Sequence, residues 1–186
     1  MRLILVRHAA PVIPSSGGPA ELIRPLTDAG LRAAAELAPR LAALHPGVVV
    51  SSPYLRAVQT VRPAALKLGL RVHPRLALRE WDSGFEPGPD YARHHTESWA
   101  DPALARAGGE SLTQLTERAA GALRPLLTGP DTVVGSHGTF LSRALVGFGF
   151  SVDWSFVRAM PMPAVYVLEF ADPASPPVVS GPGFPA

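Results

Sequence analysis

The sequence predicts an α/β fold: a three-layer sandwich whose central sheet is mostly parallel, with helices on both faces. Two observations carry this. Short continuous apolar runs such as Leu3-Ile4-Leu5-Val6 and Val48-Val49-Val50 have the pattern of strands covered on both sides. Between them, apolar residues recur at helical spacing, so strand and helix signals alternate along the chain as parallel sheets require.

The elements follow in order. After the first strand, Thr27 is placed to cap a helix carrying Leu31, Ala34, Ala35, Leu37, Ala38, Leu41 and Leu44. Val48, Val49 and Val50 form a second strand that ends at Ser51-Ser52. Pro53 suits a first helical turn with Ser52 as its cap, and Pro63 is expected to kink or end that helix. Residues 70–79 read as a strand and connection leading to Glu80. The stretch 81–110, rich in Gly, Pro, His and Asp, reads as an excursion with one short helix. An amphipathic helix is expected from Ser111 to Leu127 and a strand from Thr132 to Gly135. A helix follows from Gly138, then a strand from Ala164 to Phe170, and the Pro-rich tail from Asp172 is an edge strand or loosely held.

A chain of 186 residues fits one domain, taken here as 1–186, with the excursion at about 81–110 covering the site. The formal charge is only +2, lysine occurs once (Lys67), and no basic run or aromatic-interleaved patch points to nucleic acid. Cysteine is absent, which excludes disulfides, thiolate catalysis and zinc–thiolate sites. No apolar stretch is long enough for a membrane span or a signal-peptide core, so a cytoplasmic location is expected. Oligomeric state is not readable.

Three of the expected strands run directly into polar residues: Arg7-His8, Ser51-Ser52 and Ser136-His137. A parallel sheet gathers these ends on one rim, where helix N-termini also favour anions. The rim collects His8, His137, Arg7 and Arg56, a cationic cluster that is costly unless an anion occupies it. Guanidinium forks match phosphate oxygens, and backbone N–H groups at Ser52 and Gly138 add donors. A phosphate monoester is the guest these residues suggest. Other motifs give less. His94-His95 with Glu97 is a weak metal signal, because adjacent histidines point apart, and a solvated lid is the expectation. Gly147-Phe148-Gly149 lacks the strand and third glycine of a dinucleotide site.

Leu5-Val6-Arg7-His8-Ala9 resembles the Arg-His-Gly signature of the histidine phosphatase superfamily. Residues 51–60 (SSPYLRAVQT) resemble its second motif and Gly135-Ser136-His137-Gly138 its third. Pro25-Leu26-Thr27-Asp28-Ala29-Gly30 resembles the helix opening between them, and Leu78-Arg79-Glu80 with Gly84 resembles the proton-donor segment. The resemblance implies a phosphoglycerate mutase-like fold and a metal-independent phosphatase of the short branch, with no cofactor. It implies His8 as a nucleophile that becomes phosphohistidine. Arg7, Arg56 and His137 would hold the phosphoryl oxygens, and Glu80 would be the acid, with Asp82 in reserve. Gly138, Arg24 and Ser15 are further candidates for substrate contact, although Arg24 suits a surface role equally well.

The chain departs from the family pattern at three places. Ala9 replaces the glycine after the histidine, which matters only if that residue needs φ > 0. Ala10, Pro11, Val12 and Ile13 fill the space of a customary asparagine, a donor that Ser15 or Ser16 would have to replace. Ser83 stands where an aromatic often precedes the glycine. The modest excursion leaves water access to a phosphoenzyme, favouring hydrolysis of a small-metabolite phosphate ester. The alternatives are a protein phosphohistidine phosphatase, a phosphoglycerate mutase-type transferase and a non-catalytic phosphate-binding module.

Overall fold

The computed structural model describes residues 1–15, 18–85 and 90–184. Strand β1 (Arg2–Arg7) lies inside a six-stranded sheet with β2 (Val48–Ser51), β3 (Val72–Pro74), β4 (Thr132–Ser136), β5 (Ala164–Glu169) and β6 (Val178–Ser180). The order is β3-β2-β4-β1-β5-β6. The first four are mutually parallel, while β5 and β6 form an antiparallel edge. The tail from Asp172 thus supplies an edge strand.

Alternation along β1 divides the core. Leu3 and Leu5 face one cluster with residues of α4 (Leu112–Leu123) and α5 (Gly138–Gly147). Ile4 and Val6 face the other, shared with α1 (Asp28–Ala42) and α2 (Leu55–Lys67). All four side chains are fully buried, so the apolar run reflects helices on both faces. The short helices α3 (Tyr91–Ala100) and α6 (Trp154–Ala159) lie outside these layers. The sequence reading did not anticipate α6. Asp153 caps it by accepting from the Phe156 N–H at 2.9 Å, a start signal in a segment too short to show periodicity.

Three expectations need correction. Helix α2 begins at Leu55 rather than at Pro53, and Tyr54, not Ser52, precedes its first turn. Ser52 Oγ accepts from the Tyr54 N–H at 3.2 Å and so shapes the turn before the helix. Pro63 does not end the helix, which continues to Lys67. The helix expected over 111–127 is α4 with its Ser111–Gln114 capping box, followed by a tight 3-10 turn from Arg124 to Thr128.

The loop after β1 is fastened from three sides. Thr27 caps α1 through its hydroxyl (Gly30 N–H, 3.0 Å), and its own N–H donates to the Ala10 carbonyl at 3.0 Å. The Ala9 N–H donates to Thr60 Oγ1 (3.0 Å), and Gln59 Oε1 accepts from the Leu26 N–H (2.8 Å). Ala9 is fully buried and is not among the positive-φ residues, so the change from glycine costs no backbone strain. At Gly30 a Cβ would stand 2.3 Å from the Ala10 carbonyl oxygen. Gly30→Ala is therefore expected to force α1 away from this loop, costing about 1–3 kcal/mol in urea unfolding.

Candidate active site

The parallel register delivers the three strand ends together. Ser51 pairs with Gly135 and Arg7 with Ser136. One residue further, the His8 N–H donates to the Ser136 carbonyl (3.0 Å) and the Ser52 N–H to the Gly135 carbonyl (2.8 Å). The rings of His8 and His137 consequently meet edge to face with centroids 5.2 Å apart. Arg56, on the first turn of α2, is only 3% exposed and joins them.

His8 Nδ1 lies 2.7 Å from the Ala9 carbonyl. A carbonyl only accepts, so Nδ1 carries the proton and Nε2 keeps its lone pair. Burial is the largest influence on this ring, and the Arg56, Arg7 and Arg24 charges act in the same direction. Against the opposing Ala9 bond they push its pKa down to about 3. His137 is completely buried, with Nε2 2.8 Å from Ser52 Oγ, and burial followed by the neighbouring charges holds it neutral as well. Three buried nitrogens here lack a partner among the described residues: Arg7 Nε, Arg56 Nε and His137 Nδ1. The two guanidinium nitrogens are donors of a kind normally satisfied, and the guanidinium groups that carry them suit an anion with several oxygens.

Glu80 comes from the connection after β3. Its carboxylate accepts from the N–H groups of Trp81 (2.9 Å), Phe140 (3.0 Å) and Thr139 (3.4 Å), the last two at the start of α5. Burial raises its pKa; these bonds and Arg56 oppose without reversing the shift. The Thr139 and Phe140 N–H groups of the α5 N-terminus thus already hold a carboxylate, and the Ser52 N–H expected as a donor is spent on the Gly135 carbonyl. Gly138 has a second role, since a Cβ there would stand 3.2 Å from Arg7 Cζ. Its absence lets the Arg7 guanidinium, which also donates to the Met160 carbonyl, lie across the helix start.

A cavity of about 710 Å³ opens above His8, lined by Arg24, Arg56, Glu21 and Glu80, with Pro14, Tyr54, Trp81, Asp82, Ser83, Phe85 and Tyr91. Arg7 and His137 are not part of this wall. Ser15 is exposed and outside it, its neighbour Pro14 taking that place, so the geometry gives Ser15 no contact; Ser16 lies outside the described residues. Arg24 does face the cavity but is engaged: Nε and Nη2 donate to Glu21 (2.7 and 3.0 Å) and Nη1 to the Val12 carbonyl (2.7 Å). No group of three or more His, Cys, Asp or Glu suited to a metal occurs among the described residues.

The sequence model of the histidine phosphatase superfamily (branch 1) matches residues 3–174. The chain belongs to that superfamily. No curated protein matches significantly, but solved structures do. A mycobacterial glucosyl-3-phosphoglycerate phosphatase superposes with a TM-score of 0.75 at 21% identity, covering 97% of this chain and 96% of the other. A phosphoserine phosphatase from Entamoeba histolytica, solved as a mutant with phosphoserine, gives 0.77 at 20% identity over 98% and 96%. At these identities the likeness is one of fold.

Within this histidine phosphatase frame, sequence reasoning missed Glu21 and Arg118 and misread His95. Glu21 bridges Arg24 and Arg56, with Oε2 3.0 Å from Arg56 Nη2; an isolated glutamate in a polar loop gave no signal. Arg118 on α4 donates to the carbonyls of Ala77 (2.8 Å), Arg79 (3.0 Å) and Glu80 (3.2 Å) and pairs with Glu110, fixing the segment that carries Glu80. His95 overturns the expectation of a solvated lid. It is 4% exposed and packs among Trp81, Tyr91 and Trp154 at 4.3–5.1 Å between ring centroids. Burial first, then Arg106 and His94, lower its pKa to about 4. A histidine kept neutral by the fold costs stability as pH falls from its ordinary 6.5 toward that value, because the unfolded chain takes the proton first. His95→Phe is therefore expected to shift the acid-unfolding midpoint, followed by circular dichroism, to lower pH.

Proposed function

We propose that this chain is a metal-independent phosphatase of small phosphate monoesters, acting through phosphohistidine on His8. The observation that carries it is a buried, neutral imidazole with Nδ1–H fixed on the Ala9 carbonyl, beside guanidinium groups and facing a cavity that also holds Glu80. Nε2 attacks phosphorus as the ester P–O bond breaks, and Glu80 gives its proton to the leaving oxygen. Water then attacks the phosphohistidine, passing a proton to the Glu80 carboxylate. The P–N bond breaks, releasing inorganic phosphate and restoring both residues.

Arg7, Arg56 and His137 stand around the His8 ring and would spread the phosphoryl charge. Glu80 fits the acid better than Asp82, because it is enclosed and its pKa is raised, whereas Asp82 is exposed. The excursion at about 81–110 supplies Trp81, Asp82, Ser83, Phe85 and Tyr91 to the cavity and serves as its cover within a single domain. No helix among the described residues is long and apolar enough to cross a membrane.

Turnover of 4-nitrophenyl phosphate should persist with a chelator and vanish in His8→Ala. Tight phosphate binding without turnover would point instead to a binding module. Glu80→Gln should lower kcat about 10²- to 10⁴-fold on alkyl phosphates and less on 4-nitrophenyl phosphate, whose leaving group needs little protonation. Since Glu80 must be protonated in the first step, kcat should fall on the alkaline side through its raised pKa. That limb should disappear in the Gln variant.

A further inference from the structure

The charged half of the cavity is already balanced. Arg24 gives one N–H each from Nε and Nη2 to Glu21 and one from Nη1 to the Val12 carbonyl. Arg56 gives an N–H of Nη1 to the Glu21 carbonyl (2.9 Å) and pairs Nη2 with its carboxylate (3.0 Å). The nearby Arg79 turns toward Glu110, 4.0 Å away. Both basic side chains of the described wall, Arg24 and Arg56, are thus already paired with Glu21, so no unpaired cation faces a second anionic group once a phosphoryl group is bound.

The wall instead presents Asp82 and Glu21. Burial works against the charge on Glu21, but the Arg24 hydrogen bonds and the Arg56 charge prevail, so its pKa lies below the ordinary carboxylate value and it stays ionised. A carboxylate on the organic part of a substrate would meet like charge in a partly desolvated space.

The remaining lining is ring surface. Tyr54 and Tyr91 are both partly exposed, and Pro14 and Trp81 close the sides. Phe85 contributes less of its ring, which carries His94 stacked at 3.8 Å and the Arg106 guanidinium 4.2 Å from its centroid. A volume of about 710 Å³ far exceeds the needs of a three-carbon acid phosphate and accommodates a ring system beside the phosphoryl group.

Building on the phosphatase reading, we propose that this cavity takes phosphate monoesters whose organic part is a neutral ring and disfavours those bearing a carboxylate, with Glu21 and Asp82 enforcing the discrimination. The test compares 2-phenylethyl phosphate with 3-phosphoglycerate and phosphoserine, all esters of alcohols. The kcat/KM for the ring ester should exceed that for either carboxylated ester by at least about tenfold, equivalent to about 1.4 kcal/mol. In the double variant Glu21→Gln, Asp82→Asn the ratio should fall several-fold toward unity. Equal or better turnover of the carboxylated esters, or a ratio untouched by the double variant, would overturn the inference while leaving the phosphatase reading intact. Turnover of none of them would count against the phosphatase reading itself. Selectivity would then be read by calorimetric binding of the same compounds to His8→Ala, where equal affinities refute it.

Discussion

The site depends on register. Strands β2, β4 and β1 lie side by side and parallel, and two main-chain hydrogen bonds beyond their ends keep them level: His8 to Ser136 and Ser52 to Gly135. A one-residue slip in β1 would turn its buried side chains to the opposite face. The cores on both faces forbid this, so the hydrophobic pattern of a short strand also fixes where a histidine ring stands. The close approach of the His8 and His137 rings follows from that constraint.

Much of this was legible in the sequence because the strands are buried on both faces and show as unbroken apolar runs. Their polar termini could be placed on one rim before any contact was known, and His8, Arg56, His137 and Glu80 do converge. Boundaries were less legible. Pro63 sits inside α2, which runs on past it to Lys67, and the two-turn α6 is too short to show a period.

Other residues were invisible for a different reason. Glu21 and Arg118 have no motif, and the His94-His95 pair suggested a different one; the partners that matter most, Arg56, Arg79 and Trp154, are distant in sequence. A glutamate in a loop looks solvated until two arginines are found around it. Two adjacent histidines look like a mobile surface until three aromatic rings enclose one of them.

Arg118 has a further consequence. It belongs to α4, whose apolar side packs into the core, yet its guanidinium reaches across to the backbone carrying Glu80. The proposed acid is therefore held from two helices, α4 through Arg118 and α5 through its first N–H groups, as well as by its own loop. Loosening α4 from the sheet, even by trimming a fully buried side chain such as Leu115, would be transmitted along one cation to the place where a leaving oxygen awaits its proton.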